Sequence, residues 1–256
     1  MREKIFRKID TEIEKIKSRI GADRKILEGI FDKPTLLVFG KLFSDKTIDL
    51  VEFPISVGKE GCVFRALTPA KEFVAVKVYR VVSHTFRNIS KYIEGDPRFR
   101  TFRNRRDLIY EWANKEFKNL QILENIGVSV PHPIRRIKNV LVMQYIGDET
   151  APAPLLKDIK LDNPKKFLNK LIKYIKIMYQ KAELVHGDLS EYNILVYKEK
   201  PYIIDVGQTV VIEHPMALEF LKRDIHNLVR FFRNRYNLKE HDEETLYNKI
   251  IERGKN

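Results

Sequence analysis

Cysteine is nearly missing from this chain. Cys62 is the only one in 256 residues, so no internal disulfide can form and a reducing compartment is expected. No apolar run approaches the ~20 residues that a membrane-spanning helix needs. The opening Met1-Arg2-Glu3-Lys4 also lacks the apolar core of a secretory signal. These gaps exclude a disulfide-stapled scaffold and lead to the expectation of a soluble, cytoplasmic protein with no membrane partner. Internal repeats are missing as well. Negative charge is in deficit: 35 acidic residues face 48 lysines and arginines, leaving a formal +13. Such an excess favours a polyanionic partner such as RNA, because cations neutralising phosphates supply most non-specific nucleic-acid affinity. A bland alternative is a set of lysine-rich, solvated helix faces.

What is present suffices for a core, since 43% of the residues are hydrophobic, and the length suits one large domain or two lobes. Ile5, Ile9, Ile13, Ile16 and Ile20 fall on one helical face, with Gly21 as a stop. Further helices are expected over 24–31 and 35–43. This N-terminal stretch, 1–45, is too short for a core of its own and is expected to dock on the main body. The pattern then changes to strands at 48–53, 63–67 and 73–79, with a turn at Thr68-Pro69. Helical spacing returns at 108–124, and 140–146 reads as an apolar strand ending at Gly147. Asn163-Pro164 signals an N-cap with proline in the first turn of an amphipathic helix running to about Ala182. A hairpin is expected from 194–197 and 202–205, a helix from Pro215 to Phe232, and a last helix over 243–253. Sheet first and helices later points to an α+β, two-lobed layout with a small β-rich lobe over 46–146 and a reduced helical lobe over 147–256.

Three short stretches carry chemistry. The first is Val74-Ala75-Val76-Lys77, whose alternation places Ala75 and Lys77 on one strand face. A lysine that bridges nucleotide phosphates must itself be held by an anion. Glu116, on the helix that follows, is the candidate, and Glu111 is the alternative. The second is His186-Gly187-Asp188-Leu189-Ser190-Glu191-Tyr192-Asn193. Here Asp188 suits a base acting on an attacking hydroxyl, and Asn193, five residues on, suits a metal ligand. The third is Asp205-Val206-Gly207, whose aspartate completes an oxygen donor set of the kind Mg²⁺ accepts alongside phosphate and water. His186 reads as structural, since no other histidine stands at ligand spacing from it. Before Lys77 lies Ser56-Val57-Gly58-Lys59-Glu60-Gly61-Cys62-Val63. It matches the phosphate-covering G-x-G-x-x-G-x-V pattern at Gly58, Gly61 and Val63, with Ser56 in place of the first glycine. A plain hairpin turn would explain that stretch equally.

In this order the stretches are similar to the phosphoryl-transfer apparatus of eukaryotic-type protein kinases, with two departures. Gly187 stands where an arginine normally receives a phosphorylated activation loop, so no such phosphorylation should be needed. The chain after Gly207 is also too short for the usual peptide-substrate platform.

The likeness narrows further. Ile55 to Gly61, Lys77-Val78-Tyr79-Arg80, Leu184 to Leu195, Ile203 to Val210, and the runs His214 to Leu218 and Leu221 to Asp224 resemble the RIO family of atypical serine protein kinases, in particular its type-one subfamily. The roughly 50 residues ahead of the first motif are too few for the winged-helix domain of type two. The resemblance implies a RIO fold that binds ATP with Mg²⁺ (or Mn²⁺). It implies catalysis by Asp188 and Asp205, with metal held by Asn193 and Asp205. Nucleotide contacts are implied at Val57, Gly58, Lys59, Glu60, Gly61, Val63, Ala75, Lys77 and Glu116, and at an adenine-binding hinge of Met143, Gln144, Tyr145 and Ile146. Also implied are serine autophosphorylation, ATPase behaviour in which Asp205 can carry a transient phosphate, and a part in maturing the small ribosomal subunit or its rRNA. Where many relatives have a serine, this chain has Gly207-Gln208-Thr209. The arginine-rich segment 83–106, with Arg98, Arg105 and Arg106 among its cations, corresponds to a flexible loop in the family. It reads either as a solvated insert or as a patch for rRNA or substrate. Two other functions stand as alternatives: a small-molecule phosphotransferase of the aminoglycoside or choline kinase type, and an rRNA-gripping scaffold that binds ATP without turnover.

Overall fold

The computed structural model describes residues 11–21, 31–81, 92–98 and 104–252. The expected turns of helix around Ile5 and Ile9, nearly all of the 24–31 helix and much of segment 83–106 lie outside them. The chain divides into two compact units. One is made of Met1–Thr85, Phe102–Phe117 and Pro133–Tyr145; the other of Phe86–Thr101, Lys118–His132 and Ile146–Asn256.

In the first unit, residues 11–17 are helical and α1 spans Lys33–Ser44. Asp32 caps α1 by accepting a hydrogen bond from the Thr35 amide, and Lys33-Pro34 puts proline in the first turn, where its missing N–H costs nothing. Four antiparallel pairings join β1 (Leu50–Val57), β2 (Gly61–Leu67), β3 (Phe73–Tyr79), β4 (Pro133–Ile137) and β5 (Val140–Gln144) in the order β1-β2-β3-β5-β4. Side chains alternate across the sheet. Cys62, Phe64 and Ala66 of β2 with Val74, Val76 and Val78 of β3 join one apolar cluster with Ile13, Ile16, Ile20, Leu36, Phe39 and Leu42. That cluster explains the helical spacing of Ile13, Ile16 and Ile20: they cover one face of the sheet. Burial pushes the Cys62 thiol up to about 11, so it packs as an inert apolar group. The opposite face carries Val63, Arg65, Ala75 and Lys77, with Val63 opposite Lys77 and Arg65 opposite Ala75. Arg65 lies over the rings of Phe53 and Phe73, 4.5 and 4.4 Å from their centres.

The helix after the basic segment, α2, spans Arg105–Asn125, and its residues up to Phe117 belong to this unit.

In the second unit, α3 (Pro164–Lys181) opens on Asn163, which caps the Lys166 amide, and buries Phe167, Leu168, Leu171, Tyr174 and Met178 along one stripe. β6 (Leu184–Val185) pairs with β9 (Val210–Val211), and β7 (Ile194–Tyr197) pairs with β8 (Lys200–Ile203). Helices α4 (Ala217–Tyr236) and α5 (Glu243–Ile251) follow. α4 ends on Asn237 in the left-handed conformation, a polar substitute for the usual glycine.

Several boundaries differ from the sequence expectation for local reasons. α4 starts at Ala217 rather than Pro215 because the His214 ring accepts the Met216 amide and holds a turn there. β8 ends at Ile203, before Asp205, which adopts φ 60°, ψ 49° and so leaves the strand. β4, with Arg135 and Arg136 inside it, shows no apolar alternation and escaped the reading; the two-residue β6 and β9 are too short to show any. Among the described residues no helix is long and apolar enough to cross a membrane.

Candidate active site

The first unit supplies an ion pair. Lys77 projects from β3, and its Nζ lies 2.8 Å from both Oε1 and Oε2 of Glu116 on α2. The Glu116 side chain is 1% exposed and that of Lys77 14%. Burying a carboxylate is costly without partners, and a second one is present: the Tyr79 hydroxyl donates to Oε2. Strand periodicity dictates this, since Lys77 and Tyr79 are two apart and share a face. Lys77 also stands 5.0 Å over the Tyr79 ring. The motif Lys77-Val78-Tyr79-Arg80 contains Tyr79 without showing this role; its two-residue offset from Lys77 is the signal the sequence offers. Glu111, the alternative anion, is bound by the Asn114 carboxamide.

The glycine-rich stretch is the β1–β2 hairpin, with Val57 opposite Cys62 and the Gly58 amide donating to the Gly61 carbonyl at 2.9 Å. Lys59 and Glu60 form its turn, and the Glu60 carbonyl accepts the Arg80 amide. The two glycines differ. A Cβ on Gly61 would lie 2.2 Å from the Val78 carbonyl oxygen, whereas one on Gly58 would meet nothing nearer than 3.6 Å. Gly61 is therefore required by the closeness of β3, a reason independent of phosphate. Ala75 is buried opposite Met143. Gln144 is the last residue of β5 and pairs with Val74, while Tyr145 packs near Phe73. In the second unit the Ile146 carbonyl accepts the Ala153 amide, so that oxygen is already engaged.

The second unit holds the acidic loop. Asn193 Nδ2 donates to the Asp188 carbonyl at 2.8 Å and reaches its Oδ2 at 3.5 Å. The Asn193 carbonyl accepts the Ile204 amide, tying the loop to the residue before Asp205. His186 reinforces this tie: its Nδ1 accepts the Asp188 amide and its Nε2 faces the Ile204 carbonyl, each at 3.3 Å. Burial holds the imidazole below its usual pKa, which suits a neutral ring with the proton on Nε2. Gly187 has φ +82°, a conformation that disfavours the arginine of ordinary kinases. Its amide and that of Leu189 both donate to Asp224 of α4 at 2.8 Å. Asp224 is 1% exposed, and burial pushes its carboxyl up to about 7 against the lowering pull of those two amides and Arg223. The Gly187 carbonyl accepts from Arg223 and, at 3.4 Å, from the Tyr92 hydroxyl. Burial and the nearby Asp188 carboxylate raise the Tyr92 phenol to about 12.

The turn after Asp205 has its own brace. Arg98 donates to Asp96, to Asn119 Oδ1 at 3.0 Å and to the Thr209 carbonyl at 2.9 Å, and Asn119 Nδ2 donates to the Val206 carbonyl at 2.8 Å. Asn119 is fully buried. Two cations of the basic segment thus have partners within the fold: Arg98 holds Asp96, Asn119 and Thr209, and Arg106 is paired with Asp32 at 3.0 Å. Asp205 sits in a left-handed conformation that costs a non-glycine residue about 1–2 kcal/mol, and residues that tolerate such strain concentrate where function demands the geometry. Asp224, at the end of the run Leu221 to Asp224, and Asp96, in the basic segment, show no role in the sequence, and Asn119 is not marked there at all; all three become relevant only once the chain has folded.

The donor set suits a hard divalent cation. The Asn193 nitrogen is spent on the Asp188 carbonyl, which leaves its oxygen as the atom for a metal, and Asp205 adds carboxylate oxygen.

A RIO domain family matches residues 62–246. The chain is 39% identical over 234 residues to the RIO-type serine/threonine-protein kinase Rio1 of Haloferax volcanii, covering 90% of this chain and 80% of that protein. It is 40% identical over 230 residues to the Rio1 of Methanocaldococcus jannaschii, covering 90% and 79%. Among solved structures, the Rio2 kinase of Chaetomium thermophilum, as an ADP/Mg²⁺-phosphoaspartate complex, superposes with a TM-score of 0.67 at 24% identity, covering 86% of this chain and 67% of that one. The fold is thus the two-lobed, kinase-like α+β fold of that structure. The chain belongs to the RIO family of atypical serine/threonine protein kinases.

Proposed function

We propose that the chain transfers the γ-phosphoryl group of ATP, with Mg²⁺, to serine hydroxyls including its own, and also hydrolyses ATP. The observation that carries this is the Lys77–Glu116 pair: a buried carboxylate fixes an ammonium group at a sheet face. Lys77 would hold the α- and β-phosphates, with Glu116 and Tyr79 fixing its position. The hairpin residues Val57, Gly58, Lys59, Glu60, Gly61 and Val63 would cover the phosphates. Ala75, Met143, Gln144, Tyr145 and Ile146 would contact the adenine. Asn193 and Asp205 would hold Mg²⁺, or Mn²⁺, which neutralises charge on the phosphates when bound. Asp188 accepts the proton of the attacking hydroxyl, and His186, Asn193 and Asp224 fix its backbone. Because Gly187 takes the arginine's place, activity requires no prior phosphorylation of an activation segment.

The Rio2 structure contains phosphoaspartate, which supports Asp205 as a transient acceptor here and an ATPase cycle. The net +13 and what the motifs' resemblance to the RIO family implies favour action on the small ribosomal subunit or its rRNA, with the cytoplasm as the expected compartment. Incubation with [γ-³²P]ATP and Mg²⁺ tests the reading. Label on protein serine together with slow phosphate release is expected. Nucleotide binding with neither label nor release would leave a scaffold instead, and label on an added aminoglycoside or choline but none on protein would favour small-molecule transfer.

A further inference from the structure

A cavity of about 630 Å³ lies along α3 and the β7–β8 turn, lined by Lys166, Lys170, Lys173, Lys198 and Lys200. The first three recur at helical spacing, so they form one row on α3. Lys198 and Lys200 come from the hairpin turn opposite them. All five are exposed, and none has a carboxylate partner at salt-bridge distance among the described residues. Lys170 and Lys198 instead lie over the rings of Tyr174 and Tyr197, at 5.0 and 5.1 Å. Asp162 and Glu199 also line the cavity, so its wall stays cationic overall. Lys198 and Glu199 both have positive φ, 50° and 56°, a tight turn that neither residue type favours. Its consequence is to set Lys198 and Lys200 at the groove.

We infer that this groove binds the phosphate backbone of folded, double-helical RNA. Charge complementarity and the kind of cation argue for it. Lysine is a point charge suited to unspecific phosphate contact, whereas the groove has no arginine for bidentate recognition of a phosphorylated residue. The one aromatic residue in its lining, Phe167, is buried in the core, so no base can stack there as in single-strand readers. The N-terminal end of the α3 dipole, at the Asn163 cap, adds positive potential at one end. The inference takes its ligand class from the proposed action on rRNA, but the groove is separate from every residue assigned to phosphoryl transfer.

The test is fluorescence anisotropy with a labelled RNA hairpin of about 16 base pairs, titrated between about 50 and 200 mM KCl. The triple variant Lys166→Gln, Lys170→Gln, Lys173→Gln should bind at least about tenfold more weakly, and its log K against log salt should flatten by about one per lysine removed. The corresponding Arg triple should keep the slope. A control triple on the first unit, Lys41→Gln, Lys46→Gln, Lys138→Gln, should leave it unchanged. An equal loss in that control, or an unaltered slope in the α3 triple, would overturn the inference and leave diffuse charge as the source of binding. Competition by polyglutamate as effective as by unlabelled hairpin would also overturn it, in favour of an acidic protein. Autophosphorylation of the α3 variants at the wild-type rate separates failure of the groove from failure of the kinase reading.

Discussion

Arg98 donates to the side-chain oxygen of Asn119, whose nitrogen in turn holds the carbonyl of Val206, the residue after the proposed metal-binding aspartate. A residue of the arginine-rich segment therefore stabilises the turn that presents Asp205. Replacing Arg98 with alanine removes bonds to Asp96, Asn119 and Thr209 together, the one to a buried carboxylate among them. The expected result is a several-fold higher Mg²⁺ requirement for autophosphorylation, with ATP affinity in the absence of metal unchanged. A magnesium titration of Arg98→Ala against wild type reads this directly, and Arg98→Lys should recover only part of it because one ammonium cannot span three acceptors.

Breaking the Lys77–Glu116 pair should cost stability as well as activity. Lys77→Ala takes the ammonium from a carboxylate that is 1% exposed, and removing one partner of a buried pair typically costs about 3–5 kcal/mol. Urea unfolding should show a lower midpoint with an unchanged slope. Glu116→Gln should be milder, since an amide oxygen still accepts from Lys77.

The two glycines of the β1–β2 hairpin should respond differently to alanine. Gly61→Ala drives a methyl group to 2.2 Å from the Val78 oxygen, so the strands must part, at a cost of about 1–3 kcal/mol. Gly58→Ala meets only ordinary contact and should fold normally. Thermal melts of both variants check this.

Asp224 gives a pH signature. Its carboxyl titrates near 3.8 in the unfolded chain and is raised to about 7 in the fold, so the native state holds the proton more tightly. Stability from this group is full below about pH 4 and is lost as pH rises through about 7. Asp224→Asn should remove that pH-dependent component between those limits in denaturant titrations. Asp224→Ala should be worse at every pH, because the buried Gly187 and Leu189 amides each lose their acceptor at about 1–3 kcal/mol.

What could be read in advance follows from where information is local. The isoleucines at helical spacing, the Asn163-Pro164 cap and the alternation of Val74 to Lys77 each encode an element within a few residues. The motif residues Lys77, Asp188, Asn193 and Asp205 were likewise recognisable by order and spacing. The role of Asp224 and the importance of Asn119 were not, because each acts through backbone groups dozens of residues away; the run ending at Asp224 carries the family likeness without showing what Asp224 holds. Arg98 is a parallel case. Its basic surroundings give no hint of these partners, and only the folded chain brings Asp96, Asn119 and the Thr209 carbonyl to it.

The most direct test compares Asp188→Ala with wild type under one condition, measuring nucleotide binding by equilibrium dialysis and turnover with [γ-³²P]ATP and Mg²⁺. Loss of an acting base typically lowers rate by about 10²–10⁴-fold, so binding should persist within a few fold while turnover falls by that factor. Turnover at the wild-type rate in Asp188→Ala would contradict the account.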